Sequence, residues 1–157
     1  ARIALLTHYL ELLPPGPTVP VSGCPAPRGN FTPAFALGAL HRGKQVEQFL
    51  GGIERDGRRG LRWVAVSPGR ASITVYLSEV EDVGSGTCRD VTEFPPLDPE
   101  DDGWGKEIGT VASPEEALRL AERELGADPA HWVNQGIVCD EYHDFQAADG
   151  IGRPANP

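Results

Sequence analysis

Leu61-Arg62-Trp63-Val64-Ala65-Val66, Ser67-Pro68-Gly69-Arg70 and Ala71-Ser72-Ile73-Thr74-Val75-Tyr76-Leu77 form one continuous stretch in which two β-rich runs flank a Pro-Gly corner. Proline presets φ for the first corner of a reverse turn, and glycine tolerates the positive φ that a type II turn needs at the second. The pattern predicts an antiparallel hairpin over residues 61–77, with Ile73, Val75 and Leu77 facing a core and Thr74 and Tyr76 opposite. A polar turn, Arg55-Asp56-Gly57-Arg58-Arg59-Gly60, leads into it.

Helices are expected on both sides of this hairpin. Thr32 followed by Pro33 pairs a capping hydroxyl with a residue whose missing N–H costs nothing at a helix start. Beyond Gly43, the residues Val46, Phe49, Leu50 and Ile53 recur at i, i+3, i+4 and i+7, the stripe of an amphipathic helix. A helical pair or one kinked helix is therefore expected over residues 33–55. Ser113-Pro114-Glu115-Glu116 joins an N-cap, an N1 proline and an N3 glutamate, and Gly126 stands ready to end the helix in a left-handed turn. That predicts a helix over 114–125, and a third is expected over 137–146. Residues 2–10 read as a buried strand, and the proline- and glycine-rich stretch to about residue 30 as a loop or arm. In the acidic run from Glu79 to Asp102, a short strand near residues 88–94 is expected, with Trp104 pinning the loop. The fold class expected is α+β: a single domain over residues 1–149 with an antiparallel sheet packed on two or three helices, and a C-terminal tail over 150–157.

With 157 residues, one core is the natural size. The 19 glycines and 15 prolines predict long irregular connections. Fourteen Lys plus Arg against 23 Asp plus Glu give a net charge of -9, which opposes phosphate backbones and anionic lipid and favours cationic partners. No nucleic acid and no membrane association are expected. No stretch reaches the ~20 apolar residues of a membrane span. The short run Arg2-Ile3-Ala4-Leu5-Leu6 lacks the length and cleavage site of a secretory leader. Cys24, Cys88 and Cys139 lack the close spacing of zinc or redox pairs. Together these predict a soluble cytoplasmic protein with ordinary thiols.

Groups able to bind or move protons concentrate in residues 131–145. On a helix, Cys139 and His143 share a face at i, i+4, the separation at which two side chains share a metal, but a four-coordinate site needs two further ligands. Glu141 with His143 or His131 has the chemistry of a proton-transfer pair, since a carboxylate orients an imidazole that titrates near neutrality. Asp140, Asp144 and Tyr142, with Trp104 and Trp132 as exposed aromatics amid carboxylates, are the candidate binding residues. No nucleophile elbow, Walker loop or dinucleotide-binding glycine motif is present, so no cofactor is expected. Cys24 lies in a proline-rich loop, and Asn30-Phe31-Thr32 is a chance glycosylation match ahead of Pro33.

The arginines and lysine at 42, 44, 55, 58, 59 and 62 are expected to pair with the later acidic run of the same chain. These features favour a small acidic binding or inhibitor protein, working in the manner of a toxin-neutralising protein, whose carboxylate-rich loops engage a basic protein. The alternative is a small enzyme using Glu141, His143 and His131, with or without a metal at Cys139.

Overall fold

Asp56 and Gly57 take φ values of 53° and 73°, the two left-handed residues of a tight hairpin turn, and they join two long strands. These are β1 (Val46–Arg55) and β2 (Arg58–Pro68), paired antiparallel from Val46 opposite Val66 to Arg55 opposite Arg58. The computed structural model describes residues 33–85 and 90–150. The strand expected over 2–10, the cap Thr32, the thiols Cys24 and Cys88 and most of the C-terminal tail lie outside the described residues.

β3 (Ile73–Glu81) pairs with β2 as the 61–77 stretch predicts, with Pro68 opposite Ile73. The corner differs from the expectation: Gly69 keeps an ordinary φ and donates to the Ser72 carbonyl at 2.8 Å, so the loop runs over four residues rather than a type II turn. β4 (Lys106–Val111) adds to the edge of β3, and the short β5 (Val133–Asn134) adds to β1. Among the described residues the result is a five-stranded antiparallel sheet of order β4-β3-β2-β1-β5. With three helices packed on it, α1 (Pro33–His41), α2 (Pro114–Leu125) and α3 (Val138–Gly150), the domain is α+β.

One expectation is overturned here. Residues 46–55 are strand, not helix. The register shifts between Phe49 and Gly51, so Leu50 is a bulge. This extra residue, in a strand with apolar contacts on both faces, converts period-two alternation into the spacing i, i+3, i+4. Gly51, at φ 96°, and Gly52 suit the bulge and would weaken a helix interior. The acidic run also differs from the expectation, because Val91–Glu93 is a turn of 3-10 helix and residues 88–89 are not described.

Each face of the sheet carries its own core. On one face, Val46, Val64, Val66, Ile73 and Val75 pack under α1, α2 and Trp132. On the other, Leu61, Trp63 and Val80 meet Val91, Phe94, Val138 and Tyr142, with Phe49 and Phe145 alongside. Aromatic rings lock this second cluster edge to face, Phe94 to Tyr142 at 5.7 Å and Phe49 to Phe145 at 5.4 Å. The helix α2 is held at both ends as the sequence implies. Ser113 Oγ accepts from the Glu116 amide at 3.3 Å, and Gly126, at φ 71°, donates its N–H to the last turn. The expected self-pairing of charge is also present: Arg55 meets Glu79 at 2.7 Å, Arg58 meets Glu81 at 2.5 Å and Arg59 meets Asp82 at 3.7 Å. No helix among the described residues is long and apolar enough to cross a membrane.

Candidate functional site

The second core covers only half of its sheet face. Alternation along β2 and β3 puts Trp63, Ala65 and Ser67 beside Tyr76 and Ser78 on that face. α3 and residues 91–97 shield the Trp63 end, while among the described residues no helix lies above the Ala65 to Ser67 end. There a cavity of about 550 Å³ forms, within the range of ligand pockets. Its floor is Trp63, Ala65, Tyr76 and Ser78; Phe94 and Pro96 wall one side, Glu47 and Gln135 another, and Trp104 stands at its mouth.

Glu47 reaches this cavity because strand pairing sets it opposite Ala65, on the same face. Its side chain is only 5% exposed, yet its contacts are neutral: Gln45 Nε2 donates to Oε1 and the Gly136 amide donates to Oε2, both at 2.9 Å. The rim is built differently. Asp98, Asp101 and Asp102 each accept from a backbone amide two residues on, at 3.0, 2.9 and 3.2 Å, so this stretch is a chain of local turns, of which Asp101 lines the cavity. Trp104, at the end of that chain, is 82% exposed. It does not pin the loop; Val91, Phe94 and Leu97, all buried, do that.

The candidates of residues 131–145 separate into three environments. Trp132 is fully buried under the first core with its indole Nε1 unpaired, so it is not an exposed aromatic. Its run of apolar neighbours, Trp132-Val133, enters β5 and draws the ring inward. Tyr142 is also fully buried, with its hydroxyl donating to Asp82 Oδ1 at 2.6 Å and accepting from Gln146 Nε2 at 2.6 Å. Both therefore carry packing roles, which corrects the expectation that they present a binding surface.

His143 and Glu141 lie two residues apart on α3 and so face different ways. Glu141 and His131 line a cavity of about 260 Å³ with Gln48, Asp128 and Phe145. His131 Nδ1 lies 2.9 Å from Asp128 Oδ2. The Ala130 amide, and after it His131, hold the Asp128 carboxyl below the usual range, against a smaller opposing effect of burial. His143 instead lines a shallow depression with Asp90, Cys139 and Asp140, so the three expected proton-transfer residues do not converge. Asp140 is exposed there, and Asp144 lies half-buried 3.7 Å from His143.

At Cys139, burial foremost, with the neighbouring Asp90 charge, pushes the thiol pKa up. Cys139 Sγ donates to Asp90 Oδ1 at 3.5 Å. Asp90 is held low by the Thr92 hydroxyl first and the Thr92 amide second. Such a thiol keeps its proton at neutral pH. Among the described residues, no three His, Cys, Asp or Glu side chains converge as a metal site would require.

Glu47, Trp63, Tyr76 and Phe94 are the cavity residues that sequence reasoning missed. Glu47, Trp63 and Tyr76 come from three different strands and meet through strand register, and Phe94 reaches them from the end of the 3-10 turn. Asp56-Gly57 was the available signal, since that dipeptide between apolar runs marks a two-residue hairpin and would have made β1 a strand. No protein family, curated protein or solved structure matches this chain.

Proposed function

We propose that this chain is an acidic binding or inhibitor protein that engages a basic partner protein at the half of its sheet that no described helix covers. The observation that carries this reading is Trp104, 82% exposed at the mouth of the 550 Å³ cavity and following a loop of turn-fixed aspartates. An exposed indole next to a concavity has the makings of an interface anchor, and such residues dominate binding energy when buried by a partner. The net charge of -9 steers cationic proteins toward any face, and the rim carboxylates select among them.

Affinity capture from native lysate at low and high salt tests this reading. The expected result is a lysine- and arginine-rich protein retained at low salt and lost at high salt, with Trp104→Ala weakening capture by about 2 kcal/mol or more. Absence of any salt-sensitive partner, or capture indifferent to Trp104→Ala, would contradict it.

The enzyme alternative keeps one supporting observation, the Asp128-oriented His131 facing a cavity shared with Glu141. A carboxylate that orients an imidazole is the arrangement of a general base. It replaces His143 with Asp128 as the third member. Turnover of any ester or phosphate substrate that vanishes in His131→Ala and survives in His143→Ala would favour it.

A further inference from the structure

We infer that the cavity beneath Trp104 receives one guanidinium group, the arginine side chain of a bound protein, with Glu47 as its counter-charge. This rests on the binding reading above and adds the chemical group that is recognised.

Glu47 is the point of departure. On the same sheet Glu79, which also lines this cavity, and Glu81 and Asp82 beyond it each face an arginine. Glu47 is more deeply buried than any of them, and no basic side chain among the described residues lies within ion-pair reach of it. A buried carboxylate without a cation is costly, and two neutral hydrogen bonds occupy only about half of its roughly four acceptor sites. A cation entering the cavity that Glu47 lines would offset that cost.

The walls select the kind of cation. Trp63, Tyr76, Phe94 and Trp104 surround the same space, and aromatic faces attract cations. A guanidinium is planar, stacks on such faces, is less strongly hydrated than an ammonium, and presents a fork of donors suited to a carboxylate. Arginine is therefore favoured over lysine. The rim selects the source. Free arginine brings its own carboxylate into a field set by Glu47, Glu79 and Asp101, which line the cavity, whereas an arginine within a polypeptide brings none.

The test uses the full chain titrated with N-acetyl-arginine amide, followed by tryptophan fluorescence and calorimetry. Saturable binding is expected, with N-acetyl-citrulline amide, of the same shape and uncharged, at least tenfold weaker. N-acetyl-lysine amide and free arginine should each be several-fold weaker. Glu47→Gln, which keeps one of the two acceptor oxygens used by Gln45 and Gly136 and whose folding is checked by urea unfolding, should weaken the arginine probe at least tenfold, and Trp104→Ala should weaken it without affecting folding because the ring is exposed. Citrulline binding as tight as arginine, no saturation by the arginine probe, or full affinity in both variants would overturn the proposal. Fluorescence that changes with protein concentration alone would give the face to a second copy of the chain and overturn it too. If the probe fails while a basic protein is still captured through Trp104, the guanidinium pocket falls and the binding reading stands. If the probe binds and no basic protein is captured, the binding reading is the one that falls.

Discussion

Tyr142 is open to two readings in the sequence. Amid Asp140, Glu141, His143 and Asp144 it is a candidate binding residue, while its spacing with Val138 and Phe145 fits an apolar helical stripe; the second holds, for it is fully buried, edge-on to Phe94. Helix geometry explains this, because Val138, Tyr142 and Phe145 form the apolar stripe of α3 and the charged residues take the other sides. Its hydroxyl ties α3 to Asp82, just past β3, and to Gln146. Gly84 is forced by the same contact, since a Cβ there would overlap the hydroxyl. Tyr142→Phe is expected to cost about 1–3 kcal/mol, the penalty for leaving buried groups unsatisfied. Urea unfolding measures it, and an unchanged midpoint would show that the hydroxyl contributes nothing. The same reasoning explains Trp132, whose burial follows from β5 and not from the polar residues around it.

At the scale of elements, local rules were enough wherever the signal lay within a few residues. The α2 box at Ser113 and Glu116, its glycine stop and the β2–β3 pairing were all legible for that reason. β1 was not. Its bulge at Leu50 gives the spacing of a helix, and only the pairing with β2 and β5 resolves the ambiguity. β4 and β5 were likewise hidden, because short edge strands draw their stability from a neighbour already in place. Gln48 illustrates what β1 does once it is a strand. It is 3% exposed, and its amide clasps the backbone of Asp128, accepting from the N–H at 2.6 Å and donating to the carbonyl at 2.7 Å. That clasp fixes the passage from α2 to β5, and so the position of His131 and of Gly136 above Glu47. Gln48→Ala should destabilise by about 1–3 kcal/mol, two part-buried backbone groups losing their partner. Hydrogen exchange should show the Asp128 amide losing protection first; equal protection in both proteins would mean the clasp is incidental.

For the whole molecule, the cavity exists because two cores of unequal extent share one sheet. On one face α1, α2 and Trp132 pack over Val46, Val64, Val66, Ile73 and Val75, and on the other the cover among the described residues comes from α3 and residues 91–97. Acidity acts at this scale as well. Asp90 and Asp128 have folded pKa values below the unfolded ones, so each contributes stability that is fully present above the ordinary aspartate value near ~3.9 and lost as pH falls through the depressed value. Protonation simultaneously relieves the repulsion of a net -9 charge, so the total pH profile mixes two opposing effects. The difference between the natural chain and a variant carrying Asp90→Asn and Asp128→Asn isolates the first. That difference in urea midpoint should be steady above about pH 5 and shrink toward about pH 2; a difference independent of pH would contradict the assignment.

The most direct test of the account is an amide and indole NMR titration of the full chain with N-acetyl-arginine amide. The account predicts saturable shifts confined to Glu47, Trp63, Tyr76, Ser78, Phe94 and the Trp104 indole, with residues around His131 and His143 unmoved. Shifts scattered over the acidic surface, or centred on His131 and Glu141 with the Trp104 indole still, would contradict it.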